Sequence, residues 1–240
     1  MGILVQACLN GTRPAGAHPA LPVTAAELAA DARAAAAAGA NAFHVHPRGD
    51  DGAESLDAPV IDAAVAAIRA ACPGLPVGVS TAAWIAPDVA ARVAAIRSWT
   101  SGPDFASVNL SEDGHREVMA ALRESGIGVE AGVWSVEDVG ALAESGFAGA
   151  LVRVLVEAED HDAATAVARA AAIDRALDRT GIDAPRLHHG AERATWAVLR
   201  RAVQPGHDIR VGLEDTLELE DGTPAAGNAE LVAAAVSLAA

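Results

Sequence analysis

The chain has 240 residues, 52 % of them hydrophobic but only 3 % aromatic, so its core must be filled by small and branched aliphatic side chains. The formal net charge of −15 argues against nucleic acid or an anionic membrane as a partner. All 17 basic residues are arginines, which excludes mechanisms that need a Schiff-base or general-base lysine.

Short β-branched runs alternate with alanine-rich helical segments along the whole sequence. The runs predict eight strands, at residues 3–9, 42–46, 76–80, 105–110, 128–133, 150–156, 186–189 and 208–213. Helix-capping patterns occur in TAAE (residues 24–27) and SVED (residues 135–138). Helix ends are marked by Gly39, Gly126, Gly146 and Gly181.

This alternation predicts an α/β fold whose parallel strands are joined by right-handed crossovers. Eight strand–helix units in 240 residues fit a compact (β/α)8 TIM barrel with few insertions, in which residues 1–240 form a single domain. The alternative is an open, doubly wound sheet. The loop NGTRPAG after the first strand lacks the G-x-G-x-x-G pattern of a dinucleotide-binding turn, so we favour the closed barrel.

The cysteines and the hydropathy pattern bear on the location of the protein. Cys8 and Cys72 lie far apart without metal-ligand spacing, which is typical of reduced, buried thiols in the cytoplasm. The first residues lack the features of a signal peptide, and no apolar stretch reaches membrane-spanning length without a charge. We therefore expect a soluble, cytoplasmic protein.

Two histidines stand two residues apart in NAFHVHPRGD, residues 41–50. Because side chains alternate along a strand, His44 and His46 share one face, which in a barrel can point into the C-terminal mouth and present both imidazoles to one metal ion. Glu214 directly follows the eighth strand, which only the first strand separates from the second. Two histidines and one glutamate form a Zn²⁺-type site with an open position. The alternative is a pair of hydrogen-bonded histidines in a polar barrel mouth.

Further polar residues follow the last two strands. Arg210 and Asp215, in IRVGLED, can form an ion pair beside the metal, and a surface salt bridge is the alternative. In RLHHG, strand alternation predicts that one histidine points inward and is hydrogen-bonded while the other faces a helix. Whether His188 or His189 contributes to the site stays open.

The remaining histidines and one tryptophan receive structural interpretations. We expect His18 to be structural, and His115, His161 and His207 to be solvated. Trp84 follows the third strand, and we expect it to pack in the core or a loop rather than to line the mouth.

Several motifs in order carry a family resemblance. NGTRP, LPVTAAELA, AGANAFHVHPRGDDGAESLD, VSTAAW, VEAGV and IRVGLEDTLELEDGTPAAGNAELV together resemble the β-keto acid cleavage enzyme family, which includes 3-keto-5-aminohexanoate cleavage members. The resemblance extends from the first strand to the last helix. The H-V-H-x-R and R-V-G-L-E-D segments are its most specific parts.

The resemblance implies a (β/α)8 barrel that holds Zn²⁺ through His44, His46 and Glu214. It also implies a metal-dependent acyltransferase that condenses a β-keto acid with acetyl-CoA, giving acetoacetate and a new acyl-CoA, with Arg210 and Asp215 activating the keto acid. Substrate contacts are implied for Ser80 or Thr81, Asn109 and Glu130. Such enzymes form homo-oligomers, and a tetramer is implied here.

Departures from the family pattern concern CoA and the substrate. The chain is shorter than the usual member, so loops that contact CoA are expected to be reduced. Arg13 stands roughly where members acting on an amino-bearing keto acid carry a carboxylate. It therefore favours a substrate that has no positive charge and whose far end is neutral or carries a second carboxylate or another acceptor. Alternatively, Arg13 turns to an acid in the 49–54 loop or binds the CoA phosphates.

Two other functions compete with this interpretation. One is a metal-dependent retro-aldol or hydrolytic C–C lyase that does not use CoA, which the short loops favour. The other is a non-catalytic barrel that binds a small keto acid. The intact set of His44, His46, Arg210, Glu214 and Asp215 argues against the non-catalytic barrel.

Overall fold

The computed structural model describes residues 2–160 and 162–240, in which eight strands alternate with eight α-helices. The strands are β1 (Val5–Cys8), β2 (Ala42–Val45), β3 (Val77–Ser80), β4 (Phe105–Asn109), β5 (Gly128–Val133), β6 (Leu151–Ala158), β7 (Arg186–Gly190) and β8 (Asp208–Val211). The helices are α1 (Ala25–Ala37), α2 (Ala58–Ala71), α3 (Val89–Ser98), α4 (His115–Glu124), α5 (Val136–Glu144), α6 (Ala163–Thr180), α7 (Thr195–Val203) and α8 (Asn228–Ala239).

The strands form one closed, parallel barrel in chain order, and β8 pairs with β1. This confirms the predicted (β/α)8 barrel and excludes the open sheet. Each predicted strand is present, but β1 and β8 are shorter than expected. Gly212 shows why β8 ends early: a Cβ at this position would lie 1.9 Å from the carbonyl oxygen of Cys8, so the chain turns there in close backbone contact with β1.

The predicted helix signals are found in the structure. Thr24 accepts a hydrogen bond from the backbone of Glu27, whose side chain bonds back to the Thr24 N–H, which forms a complete capping box. Ser135 caps α5 through the backbone N–H of Asp138. Gly181 ends α6 with a φ of 71°, a conformation that glycine adopts without steric cost.

The apolar core lies between the barrel wall and the helices, where alanines allow helices and strands to approach closely. Leu28, Ala32 and Ala35 bury one face of α1, and outward-facing strand residues such as Val79 meet the helices. Both cysteines are buried and free, as expected. In the described ranges, no helix combines the length and the apolar character needed to cross a membrane.

The lower barrel interior is polar. Gln6 Nε2 donates to Glu130 Oε2 at 3.0 Å, and Arg153 Nη1 lies 3.3 Å from the same oxygen. The Arg153 guanidinium also stacks over Phe105, 5.0 Å from the ring centroid. Glu130 is fully buried in this network, toward the start of β5, and therefore lies deeper than the strand-end position implied for a substrate contact.

Candidate active site

His44 and His46 meet at the C-terminal end of β2. Their Nε2 atoms lie 3.1 Å apart, and Glu214 Oε1 lies 3.9 Å from His44 Nε2 and 3.6 Å from His46 Nε2. Ligands about 2.0–2.1 Å from a tetrahedral Zn²⁺ are separated by roughly 3.3 Å, so these three spacings are close to those of a ligand set. All three side chains are largely buried.

The loop after β1 fixes the second histidine. Asn10, which is fully buried, accepts from the His46 backbone N–H and donates from Nδ2 to the His46 carbonyl, both at 2.9 Å. This pair of bonds holds the backbone where β2 ends and keeps His46 on the same face as His44.

The charges at this cluster suit a divalent cation. Burial lowers the pKa of His44 to about 3. Burial acts the same way on His46, but the carboxylates of Glu214 and Glu54 outweigh it and raise its pKa to about 9. Glu214 Oε2 is buried and makes no hydrogen bond to any described residue. In the absence of a cation, one proton must lie between the Nε2 atoms of His44 and His46. A divalent cation would replace that proton and would also bind the carboxylate of Glu214, so the donor set fits Zn²⁺.

Glu54 supports the cluster from behind. Its Oε1 accepts from His46 Nδ1, and its Oε2 accepts from Trp84 Nε1 at 3.2 Å. Metal-ligating histidines commonly donate their second ring N–H to such a carboxylate. Trp84 is 52 % exposed and lines the mouth, so the expectation that it packs in the core or a loop was wrong.

Arg210 connects the cluster to Asp215. Its Nη2 donates to Glu214 Oε1 at 2.6 Å and to Asp215 Oδ1 at 2.7 Å. Arg210 and Asp215 are each 3 % exposed, which confirms the ion pair and excludes a surface salt bridge. Burial alone would raise the pKa of Glu214, but Arg210 and the two histidines hold it well below its usual range.

His189 lies on the other side of Asp215. Its Nδ1 is 3.3 Å from Asp215 Oδ1, and its Nε2 hydrogen-bonds Glu157 Oε2 at 3.2 Å. Burial and Arg210 lower the pKa of His189, but the two carboxylates outweigh them and raise it to about 10. His189 is therefore an imidazolium that bridges two carboxylates. The predicted strand ended at residue 156, one short of Glu157, so sequence reasoning missed this partner.

The neighbouring histidine points out of the barrel, as strand alternation predicted. His188 Nε2 lies 3.3 Å from Asp174 Oδ1 on α6, and its ring stacks on His207 with centroids 5.0 Å apart. Asp174 also pairs with Arg186 at 3.1 Å and Arg201 at 2.6 Å. His207 is thus packed against a buried ion cluster, so its expected solvated position was wrong.

The remaining histidines differ in how far they are exposed to solvent. His18 hydrogen-bonds the carbonyl of Ala225 at 2.9 Å, which fits a structural role. His115 is half-buried and its Nδ1 lies 3.0 Å from the Glu112 carbonyl, so it is not freely solvated. His161 lies outside the described residues.

A cavity of about 490 Å³ opens at the C-terminal mouth of the barrel. Ser80 and Asn109, for which the resemblance implied substrate contacts, line this cavity. Thr81 is used differently: its hydroxyl donates to the Ser107 carbonyl at 2.7 Å, behind the cavity wall. The wall is formed by Thr12, Arg13, His44, His46, Ser80, Trp84, Ser107, Asn109, Trp134, Leu155, Glu157, Glu159, His189, Gly190, Ala191, Glu192, Arg210, Glu214 and Asp215.

Arg13 spans the rim of this cavity. Its Nε donates to the Leu213 carbonyl and its Nη2 donates to Glu192 Oε1 at 2.7 Å, so it pairs with the loop after β7 rather than with residues 49–54. Among the described residues, Glu192 is the one non-glycine with a positive φ, 50°. That conformation costs about 1–2 kcal/mol. The Glu192 N–H donates to the Asp215 carbonyl at 2.7 Å, which ties this loop to the site.

Comparison with known sequences identifies related enzymes. A family model described as beta-keto acid cleavage enzyme matches residues 3–240. A 3-keto-5-aminohexanoate cleavage enzyme from Fusobacterium nucleatum is 35 % identical over 80 residues, which cover 33 % of this chain and 29 % of that enzyme. The aligned part is thus less than a third of the curated relative.

Solved structures share the barrel. Apo ObcA superimposes with a TM-score of 0.74 at 16 % identity, covering 91 % of this chain and 61 % of ObcA. The ternary complex of ObcA with a C4-CoA adduct and oxalate gives 0.75 at 15 % identity, covering 91 % and 63 %. The 3-dehydroquinate dehydratase from Aquifex aeolicus VF5 gives 0.60 at 14 % identity, covering 98 % and 97 %. At these identities the similarity shows the fold.

Proposed function

Because the chain belongs to the β-keto acid cleavage enzyme family, we propose that it is a Zn²⁺-dependent transferase that condenses a β-keto acid with acetyl-CoA. The products are acetoacetate and a new acyl-CoA. Two bonds break: the bond between the α- and β-carbons of the keto acid, and the C–S bond of acetyl-CoA. The α-carbon is joined to the acetyl carbonyl, and the thiolate takes the released acyl group.

One observation supports this proposal above the others: three metal-type ligand atoms and a buried Arg–Asp pair face one cavity. His44, His46 and Glu214 would hold the metal. Bound Zn²⁺ supplies a Lewis acid for the β-carbonyl and for the oxyanions of the addition and cleavage steps.

Asp215 is suited to take a proton from the α-carbon of the keto acid. Its Oδ1 is engaged by Arg210 and His189, whereas its Oδ2 makes no hydrogen bond to any described residue. A carboxylate is an intrinsically weak base, so its contribution depends on its position beside an acidified carbon more than on basicity. Arg210 fixes that position from inside β8.

The remaining polar residues position the substrate. Ser80 and Asn109 present a hydroxyl and an amide to the cavity and would contact the keto acid directly. Thr81 acts through the Ser107 backbone that it holds, and Glu130 acts through the buried network beneath the site. We assign these two residues positioning roles in substrate binding.

Acetyl-CoA is the proposed second substrate, and we propose that the enzyme is a cytoplasmic homo-oligomer. The cavity is open at the mouth, so a thioester can reach the metal cluster while the nucleotide part stays outside. ObcA, which shares this barrel, has been solved with a C4-CoA adduct and oxalate. That similarity is one of fold, so CoA use must be tested on this chain.

Metal analysis followed by a coupled assay tests the proposal. Purified protein should contain one Zn²⁺ per chain, and acyl-CoA should form from acetyl-CoA and at least one member of a β-keto acid panel. Glu214→Gln should lose most bound zinc while keeping the wild-type circular dichroism spectrum. Full zinc occupancy in this variant would remove Glu214 from the ligand set. Cleavage that proceeds equally without acetyl-CoA would favour the hydrolytic lyase.

A further inference from the structure

Two of the three guanidinium nitrogens of Arg13 are already engaged in the folded protein. Its Nη2 is 2.7 Å from Glu192 Oε1, and its Nε donates to the Leu213 carbonyl. Both Arg13 and Glu192 line the cavity at the barrel mouth. The cation that could attract a second carboxylate on the substrate therefore carries its own counter-charge.

The Arg13–Glu192 pair differs from an ordinary surface salt bridge because the backbone of Glu192 is fixed. Glu192 begins a 3-10 turn two residues after β7 ends at Gly190, and it adopts a φ of 50°. Its N–H bonds to the Asp215 carbonyl at 2.7 Å, so the backbone is fixed at the point where the side chain leaves it. A left-handed conformation in a non-glycine residue at a cavity rim needs support from such contacts and is frequent at functional sites.

A further carboxylate lines the cavity after β6. Glu159 lines the cavity, and its carboxylate lies in a cluster with Glu157 and His189 whose ligand atoms are within 4.8 Å of one another. An incoming dicarboxylate would thus meet this acidic cluster as well as an Arg13 that already has a counter-charge.

We infer that Glu192 is a specificity-determining residue that neutralises Arg13, so that the preferred β-keto acid has an uncharged far end. The inference rests on the proposed function and makes its substrate class more specific. From the sequence, Arg13 was compatible with a keto acid whose far end is either neutral or a second carboxylate. The Arg13–Glu192 pair favours the neutral end. Removal of Glu192 should expose the Arg13 fork, whose geometry suits a carboxylate.

A double-mutant cycle tests the inference with two β-keto acids of equal length, one ending in a methyl group and one in a carboxylate. Glu192→Gln should raise kcat/KM for the dianion relative to the monoanion about fivefold, mainly through KM, as expected for one half-exposed charge. Arg13→Gln should move the ratio in the opposite direction. The double variant should return close to the wild-type ratio.

The chain offers a matched control in Glu220, which pairs with Arg200 outside the cavity and is 49 % exposed against 47 % for Glu192. Glu220→Gln should leave the ratio unchanged. An unchanged ratio in Glu192→Gln, or shifts of the same sign in both single variants, would overturn the inference.

A binding measurement separates this inference from the proposed reaction. Trp84 and Trp134 line the cavity, so glutarate and butyrate can be titrated against the intrinsic fluorescence of the zinc-loaded protein. Glu192→Gln should bind glutarate about fivefold more tightly than wild type and butyrate equally. If no keto acid is turned over, the proposed function fails, and the glutarate titration still decides the inference. Equal glutarate affinity in both proteins would contradict it.

Discussion

Asp215 offers only one of its two oxygens to Arg210. The 2.7 Å contact engages Oδ1, and Oδ2 stays without a hydrogen bond to the described residues. The pair therefore fixes a carboxylate in the barrel mouth while leaving its second oxygen without a partner among the described residues.

Replacing Asp215 with Asn should abolish most turnover without loss of the metal. The amide keeps the size of the side chain but cannot take a proton, and general-base contributions are commonly about 10²–10⁴-fold. We expect kcat to fall within that range while zinc content stays at the wild-type level. Asp57→Asn is the control, because Asp57 is exposed and makes no side-chain capping bond. A near-normal kcat in Asp215→Asn would show that the Arg210–Asp215 ion pair is structural rather than catalytic.

Glu54→Gln should weaken metal binding although Glu54 is not expected to touch the ion. Loss of the carboxylate behind His46 Nδ1 reduces the basicity of that imidazole, and such changes typically cost 10–100-fold in metal affinity. Competition with a chromogenic zinc chelator measures the change. Asp51→Asn is the control, since Asp51 lies in the same loop and bonds the Ala53 N–H instead. Identical zinc affinities in Glu54→Gln and wild type would contradict the assignment.

His189→Gln should reduce kcat more than it changes zinc content. The imidazolium lies against Asp215 Oδ1 and Glu157 Oε2, and a neutral amide leaves the two carboxylates without the intervening positive charge. Steady-state kinetics with the best keto acid and metal analysis on the same sample measure the two effects. A proportional loss of zinc and activity would show instead that His189 acts through the metal cluster.

The fold could be predicted almost completely from the sequence, because strand and helix periodicity repeats eight times with capping signals that act locally. The proximity of the three proposed metal ligands was predictable as well, because His44 and His46 share a strand face and Glu214 follows a strand that lies near them in a barrel with its strands in chain order.

The partners of these residues could not be found in the same way. Glu54, Glu157 and Glu192 reach the site through loop geometry or register across the barrel, which no local pattern encodes. Glu192 also adopts a positive φ, which a sequence without glycine at that position does not indicate. Trp84 was misjudged because an aromatic residue after a strand packs inward more often than it lines a mouth.

The ion cluster around Asp174 should stabilise the fold without affecting catalysis. Burial alone would raise the pKa of Asp174, but His188 and Arg201 hold it well below its usual range. Asp174→Asn leaves Arg186 and Arg201 without their buried partner, and breaking such a pair costs about 3–5 kcal/mol. Asp178→Asn is the control, because Asp178 contacts Arg186 but is 63 % exposed.

The effect of Asp174 should depend on pH with a defined sign. A carboxyl whose pKa is lower in the folded than in the unfolded state stabilises the protein above its unfolded pKa of about 3.9 and loses this contribution as the pH falls further. Urea unfolding of wild type and Asp174→Asn should therefore show the full difference at pH 7 and a smaller one below about pH 4. A difference that is constant across this range would rule out the ion cluster as its source.

Transfer of the acetyl group defines the proposed reaction, and an isotope experiment follows that transfer from acetyl-CoA to acetoacetate. Zinc-loaded protein is incubated with a β-keto acid and acetyl-CoA that carries ¹³C in both acetyl carbons, and the products are identified by mass spectrometry. We expect acetoacetate that contains both labelled carbons, together with an unlabelled acyl-CoA derived from the keto acid. Unlabelled acetate and a free carboxylic acid, formed at the same rate with or without acetyl-CoA, would contradict it.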